Sequence, residues 1–212
     1  MMLIKFATRS RPLKAIECVQ NIRSMTKGDY HLLISCDYDD SSMFSVIPQL
    51  LDERTSLVFG KSRNKIHAIN RDLHLVDNWD VLVNTSDDMM FIREGWDEVV
   101  REDLKSGKQV FLYPDGNRDD LVTMAIITRD WFEDNGKTIY HTEYVSVYCD
   151  NDMTEKAEKE GKLFRSKERL FNHLHPAYGK GQMDEQYLKT ESRGAYEHDR
   201  QIYERRKAQG FI

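Results

Sequence analysis

The chain has 212 residues, 40% hydrophobic and 32% charged with only 4 prolines, which excludes the disordered and fibrous classes and leaves room for one sizeable globular domain. Its formal net charge of -5, with the basic residues spread along the chain, excludes the electrostatic footprint of a duplex-binding protein, so no nucleic-acid partner is expected. Cys18, Cys36 and Cys149 lack the paired spacing of a zinc or redox motif, no apolar run approaches the ~20 residues of a membrane span, and the N-terminus shows no cleavable leader. A reducing, cytoplasmic location without an integral membrane segment is the expectation.

Residues 2–7 are a short apolar run that stops at Thr8-Arg9-Ser10-Arg11-Pro12, and Pro12 can open a helix whose apolar positions are Leu13, Ile16, Cys18, Val19 and Ile22. A second run, His31 to Cys36, ends in the acidic cluster Asp37-Tyr38-Asp39-Asp40, followed by a helical stretch from Phe44 to Leu51. Leu57 to Gly60 gives a third strand, Lys65 to Leu75 reads as a helix, and Trp79 to Asn84 gives a fourth strand that ends at Thr85-Ser86-Asp87-Asp88. After Gly95-Trp96-Asp97 come a helix to about Lys105, a strand at Val110 to Tyr113 and an apolar run at Val122 to Thr128. Tyr140 to Cys149 reads as loop plus strand, Thr154 to Glu160 as a charged helix and residues 190–209 as a polar terminal helix.

Strands alternating with helices predict an α/β fold with a mostly parallel central sheet and helices on both faces, since parallel neighbours need crossover connections. In such sheets ligands sit beyond the carboxyl ends of the strands, which directs attention to the loops after the first, second and fourth. The strongest local signal there is Asn84-Thr85-Ser86-Asp87-Asp88-Met89. Two adjacent acids at a strand end repel one another unless a cation sits beside them, so a hard divalent metal is one physical reason for the pair, and an ordinary surface turn is the other.

Taken in order, several segments resemble the family-2 glycosyltransferases of the GT-A fold. Phe6-Ala7-Thr8-Arg9-Ser10-Arg11-Pro12 is similar to the family's opening strand and nucleotide loop, and Asp37 to the acid that meets the nucleobase. Lys65-Ile66-His67-Ala68-Ile69-Asn70 is similar to the helix whose lysine approaches the diphosphate, although Asp72 stands where the family has glycine. Ser86-Asp87-Asp88 with Gly95-Trp96-Asp97 resembles the acidic motif, and Cys149-Asp150-Asn151-Asp152-Met153 the segment that supplies the base; Cys149 and Lys156 depart from the usual acid and arginine there.

The resemblance implies a single GT-A-like catalytic domain over residues 1–190, with 191–212 as a charged helix or tail packed on it. It implies a metal-dependent, inverting glycosyltransferase that moves a sugar from a nucleotide-sugar donor, UDP-type favoured, to an unidentified acceptor hydroxyl. By the same likeness Asp150 is the catalytic base, Thr8, Arg9, Asp37, Lys65 and Asp87 bind the nucleotide sugar, and Asp88 with His173 holds Mn2+ or Mg2+. His173 is preferred to His175, two residues on. Each of these residues also has an ordinary structural reading: Lys65 as a solvated helix lysine, Asp150 as a helix cap, either histidine as a polar-core residue.

Three other readings stand beside this one. A nucleotidyltransferase shares the sheet and the metal but opens on a glycine-rich loop, and residues 2–12 contain no glycine. A non-catalytic nucleotide-sugar-binding or assembly protein could keep the sheet and lack turnover. Finally, the charged tail from Glu191 to Lys207 could dock a partner through Tyr196, Ile202 and Tyr203, against the plainer reading that these residues pack on the parent domain.

Overall fold

The computed structural model describes residues 1–211. Met2–Ala7 forms β1, and Pro12 opens α1 (Pro12–Met25), where its missing N–H costs nothing. There follow β2 (Tyr30–Asp37), a 3-10 turn, the one-turn α2 (Ile47–Leu50), β3 (Thr55–Gly60), α3 (Lys65–Asn70) and β4 (Val81–Thr85). The second half comprises β5 (Met89–Phe91), α4 (Trp96–Asp103), β6 (Val110–Leu112), β7 (Ala125–Thr128) and α5 (Arg129–Asp134). It ends with α6 (Cys149–Lys159), β8 (Leu163–Arg165), β9 (Phe171–His173), α7 (Glu185–Thr190) and α8 (Arg193–Ala208).

Seven strands join in the order β3-β2-β1-β4-β7-β6-β8, and β5 pairs with β9 in a separate ribbon. The β3-β2-β1-β4 half is parallel, with Met2 opposite Tyr30 and Val81, while β7 runs antiparallel to β4 and β6. Alternation along β1 sends Met2, Ile4 and Phe6 to one core with α1 and α4, and Leu3 to a second core with α3, α5 and α6. The expected α/β sandwich with helices on both faces is therefore what forms.

Three local expectations change. The helix read over Lys65 to Leu75 is broken: α3 ends at Asn70, and Asp72 takes φ +70° before a 3-10 turn at Leu73–Leu75. A left-handed conformation strains a residue with a Cβ. Asp72 offsets that strain through its carboxylate, which accepts from Ser35 Oγ at 2.6 Å and meets the Arg71 guanidinium at 3.0 Å. Beneath it lies Lys5, 0% exposed although it sits mid-strand in β1; it donates to Ser35 Oγ and to the Arg71 carbonyl. Asp72 thus also sets a carboxylate near the amine buried under the sheet.

The strand read at Tyr140 to Cys149 does not form, and α6 starts at Cys149 rather than Thr154. The backbone N–H groups of Val145, Ser146 and Val147 are taken by the carboxylate of Asp199 on α8, so no neighbouring strand receives them. Finally, the segment read over 190–209 forms α8, whose Ile202 joins the second core while Tyr203 stacks on Tyr148 at 5.4 Å. Both side chains pack within the chain, in line with the plainer of the two readings and not with partner docking through Ile202 and Tyr203. Ile212, the last residue of the 191–212 segment, lies outside the described residues.

Candidate active site

The carboxyl ends of β1, β2 and β4 open into a cleft of about 670 Å³, whose walls are completed by the start of α3, the loop before α6, β9 and α7. Every residue singled out from the sequence lines it: Thr8, Arg9, Asp37, Lys65, Asp87, Asp88, Asp150 and His173. They do not share one environment. Asp37, Arg9 and Asp39 gather at the β2 end, Asp87, Asp88 and His173 in an acidic corner at the β4 end, and Asp150 on the far wall with Lys65.

At the β2 end Asp37 accepts from the Ser62 backbone N–H at 2.9 Å and from Arg9 at 2.7 Å. Arg9 also grips Asp39 at 2.6 Å, so its guanidinium is shared between two acids at the rim. Gly60, opposite Asp37 in β3, leaves room for the Arg71 guanidinium: a Cβ there would lie 2.1 Å from Arg71 Nη1. Arg71 uses that space to reach the Cys36 carbonyl at 2.5 Å. Sterics at one residue therefore set the charge beside the pocket.

In the acidic corner the two adjacent carboxylates diverge. Asp87 is buried and pushed up by that burial, with Asp88 adding to the rise, while Arg11 at 2.7 Å and the Thr8 hydroxyl at 3.1 Å oppose it. Burial also disfavours ionised Asp88, but His173 overcomes it, and Ser86 and Tyr187 donate to the same carboxylate; the net result holds Asp88 well below the usual carboxylate range. His173 is buried, which alone would depress it, yet the Asp115 and Asp88 carboxylates raise it to about 9.

The His173 ring is held from both sides. Its Nδ1 lies 3.1 Å from Asp115 Oδ2 and its Nε2 3.3 Å from Asp88 Oδ2. Asp115 is 1% exposed and its other oxygen accepts the backbone N–H groups of Asn117 and Arg118, both at 2.6 Å. A carboxylate fixing Nδ1 while Nε2 points at a second acid is the orienting arrangement that metal-binding histidines use. His175 instead faces Glu191 at 2.8 Å.

Among the described residues no three His, Cys, Asp or Glu side chains form a ready-made metal cage. The donor chemistry nevertheless fits a hard or borderline divalent cation, with one carboxylate (Asp88) and one imidazole nitrogen (His173 Nε2) facing the cleft and the remaining positions open to ligand oxygen.

Asp150 lies in the first turn of α6, behind Tyr148 at φ +60°, rather than at the cap position. It accepts the Asn151 backbone N–H at 2.9 Å, and among the described residues no side chain bonds it. Burial pushes its carboxyl up, against the lowering fields of Lys65 and Arg118. Lys65 is exposed on the same wall, in the first turn of α3.

Three cleft residues, Arg11, Asp115 and Tyr187, went unread in the sequence, as did Asp184, which is bonded to one of them. Arg11 sits in the loop from which Arg9 was chosen and bridges Asp87 to Asp184 at 2.6 Å. Asp115 ends a strand as Asp37 and Asp88 do, so the same signal, an acid after an apolar run, could have found it. Asp184 and Tyr187 carry no local signal: they reach the corner only because α7 folds back over it, with Arg11 lying 4.2 Å above the Tyr187 ring.

No protein-family model matches the chain, and no curated protein matches its sequence. Among solved structures it is similar to a mannosyltransferase from Pyrobaculum calidifontis in complex with GDP-Man and Mn2+, at a TM-score of 0.65 and 13% identity over 92% of this chain and 69% of that one. It is also similar to residues 1–349 of TarS from S. aureus in complex with UDP-GlcNAc, at a TM-score of 0.62 and 11% identity over 81% of this chain and 57% of that one. A likeness to a 4-diphosphocytidyl-2C-methyl-D-erythritol synthase from Anaerococcus prevotii is weaker, with a TM-score of 0.51, 10% identity and 77% of this chain covered. The chain spans less than two thirds of the TarS structure, and no helix among the described residues is long and apolar enough to cross a membrane. At these identities the likeness is one of architecture, and the architecture is that of the GT-A-like glycosyltransferases.

Proposed function

We propose that the protein is a metal-dependent, inverting glycosyltransferase that uses a nucleoside-diphosphate sugar, with residues 1–190 as its catalytic domain. One observation supports this above the others: a single cleft is lined both by a charge-balanced acidic corner and by Asp150, a carboxyl that no side chain bonds among the described residues. The solved neighbours add weight, since one is a complex with GDP-Man and Mn2+ and another with UDP-GlcNAc.

In this reading Asp37 meets the nucleobase, with Thr8 and Arg9 beside it, and Asp87 faces the ribose. Asp88 and His173 Nε2 hold Mn2+ or Mg2+, with Asp115 keeping the proton on His173 Nδ1. A cation bound there supplies Lewis-acid neutralisation of the charge gathering on the departing diphosphate. Lys65 offers a second positive charge to the same oxygens. Asp150 takes the proton from the acceptor hydroxyl as that oxygen bonds to the anomeric carbon; the bond from that carbon to the diphosphate oxygen breaks, and its electron pair leaves with the diphosphate. A single displacement of this kind inverts the anomeric centre. A raised Asp150 suits the role, because a base must keep the proton it receives.

Asp88→Ala tests the assignment through titration of UDP in the presence and absence of Mn2+, with circular dichroism to confirm the fold. The variant is expected to lose the Mn2+-dependent part of nucleotide affinity, ~10–100-fold. Unchanged affinity would remove the metal from Asp88. Binding of nucleotide sugar by the wild type without hydrolysis or transfer would favour the non-catalytic binding protein on the same fold.

A further inference from the structure

The C-terminal helix α8 is the most polar long helix of the chain, yet it carries a carboxylate that is 0% exposed, Asp199. Burying an acid is costly unless donors surround it. Here they are backbone groups: Val145 N–H at 3.0 Å, Ser146 N–H at 2.8 Å and Val147 N–H at 2.8 Å, with His198 Nδ1 also 2.8 Å away. Three successive amides turned on one carboxylate fix the path of that segment, since a peptide N–H direction sets the orientation of its plane.

What the segment leads to gives the contact its meaning. The Val145 carbonyl accepts the Ile66 N–H at 3.4 Å, next to Lys65, and one residue beyond Val147 the chain turns through Tyr148 at φ +60° into α6, whose second residue is Asp150. The same helix α8 holds this turn at two further points. Tyr203 stacks on Tyr148 at 5.4 Å, and Arg206 donates to Asp152 of α6 at 2.6 Å. Tyr196, one turn before Asp199, lines the cleft itself.

We infer that Asp199 is a positioning residue for the reaction: through the amides of Val145, Ser146 and Val147 it sets the approach of Asp150 to the sugar end of the cleft. This rests on the reading of Asp150 as the base, and it makes α8 a part of the acceptor end rather than an appended tail. Asp199 touches no substrate; it acts on the loop alone. The nucleotide end, built from Asp37, Asp87 and Asp88 on other strands, is independent of it.

The test compares Asp199→Asn and Asp199→Ala with Ile202→Ala, which weakens the core packing of the same helix and leaves the Asp199 carboxylate in place. In Asp199→Asn the remaining side-chain oxygen can still accept the Ser146 and Val147 N–H groups, so the contact is weakened, whereas Asp199→Ala removes it. Two readouts are taken on the full chain: hydrogen exchange of the peptide spanning residues 141–153, and steady-state turnover of UDP-GlcNAc or GDP-mannose with Mn2+. Asp199→Ala is expected to speed exchange at 145–147 at least ~10-fold and to lower kcat ~100-fold, the scale of a misplaced reacting group, with Asp199→Asn between it and wild type, while UDP affinity stays within ~2-fold. Ile202→Ala is expected to melt earlier and leave loop exchange and kcat within ~2-fold. Unchanged exchange in Asp199→Ala overturns the inference, as does an equal loss of kcat in Ile202→Ala. A wild type that turns over neither sugar nucleotide sinks the transferase reading instead, and exchange then decides by itself whether Asp199 governs the loop.

Discussion

Asp88 and Asp150 both line the cleft, and both are acids that burial disfavours, yet their surroundings drive them in opposite directions. Asp88 is met by His173, Ser86 and Tyr187 and is held ionised, whereas Asp150 has a single backbone donor and only the more distant fields of Lys65 and Arg118. The difference lies in which elements reach each end. β9 and α7 fold over the acidic corner and bring it donors, while the loop before α6 leaves the Asp150 oxygens facing the cleft. Groups whose environments push their proton affinities apart are what acid–base chemistry needs, so the contrast is the feature worth attacking.

The largest effect should come from the end without partners. Asp150→Asn is expected to lower kcat for sugar transfer or hydrolysis by ~10²–10⁴-fold while leaving UDP affinity unchanged, measured by steady-state kinetics beside calorimetric titration. Equal losses in both quantities would mean that the two ends are one binding site and that the contrast is only structural.

Next comes the pairing that keeps the acidic corner balanced. Arg11 and Asp87 are both largely buried at 2.7 Å, so Arg11→Met leaves an uncompensated carboxylate. A cost of about 3 kcal/mol is expected, a drop of about 6–12 °C in melting temperature for a chain of this size. A melting temperature within 1–2 °C of wild type would show that water, not Arg11, satisfies Asp87.

A smaller loss should follow from releasing the histidine. In Asp115→Asn the two backbone donors retain the side-chain oxygen and the new amide faces His173 Nδ1, which turns the proton toward Nε2. Mn2+ affinity, followed by electron paramagnetic resonance, is expected to fall ~10–100-fold with the fold unchanged. No change would separate His173 from the metal.

The smallest effect is under the sheet. Burial lowers Lys5 to about 7, against the raising field of Asp72. The unfolded chain, with an ordinary lysine near 10.5, therefore binds more protons than the folded one between those values, and stability on this account rises as pH climbs from about 7 toward 10.5. Urea unfolding at several pH values across that window should show the rise in wild type and a flatter profile in Lys5→Met. An identical slope in both would mean that Lys5 stays charged, neutralised by Asp72, and that the nucleotide end is balanced further down than its surface suggests.

Much of this frame was legible from residue order. Apolar runs of strand length alternating with helical periodicity sufficed for the parallel half-sheet, and acids closing those runs marked Asp37, Asp87 and Asp88, because strand ends on one edge of a parallel sheet must share a cleft. Local pattern failed where distant groups compete for the backbone. Val145 to Val147 has the composition of a strand, and only the carboxylate of Asp199, 52 to 54 residues on, removes its amides from pairing. Asp72 was unreadable for the same kind of reason: the carboxylate of its left-handed turn is met by Ser35 Oγ, 37 positions earlier on another strand.

By itself, then, the order of residues determined the layers, the direction of the first four strands and the acids at their ends, since these follow from periods of 2 and 3.6 residues and from chain connectivity. The tertiary structure decided which acid is held below the usual carboxylate range and which is pushed above it. Proton affinity depends on burial and on charges within a few ångströms, and Arg11, His173 and Tyr187 arrive at that range from parts of the chain that no local pattern links.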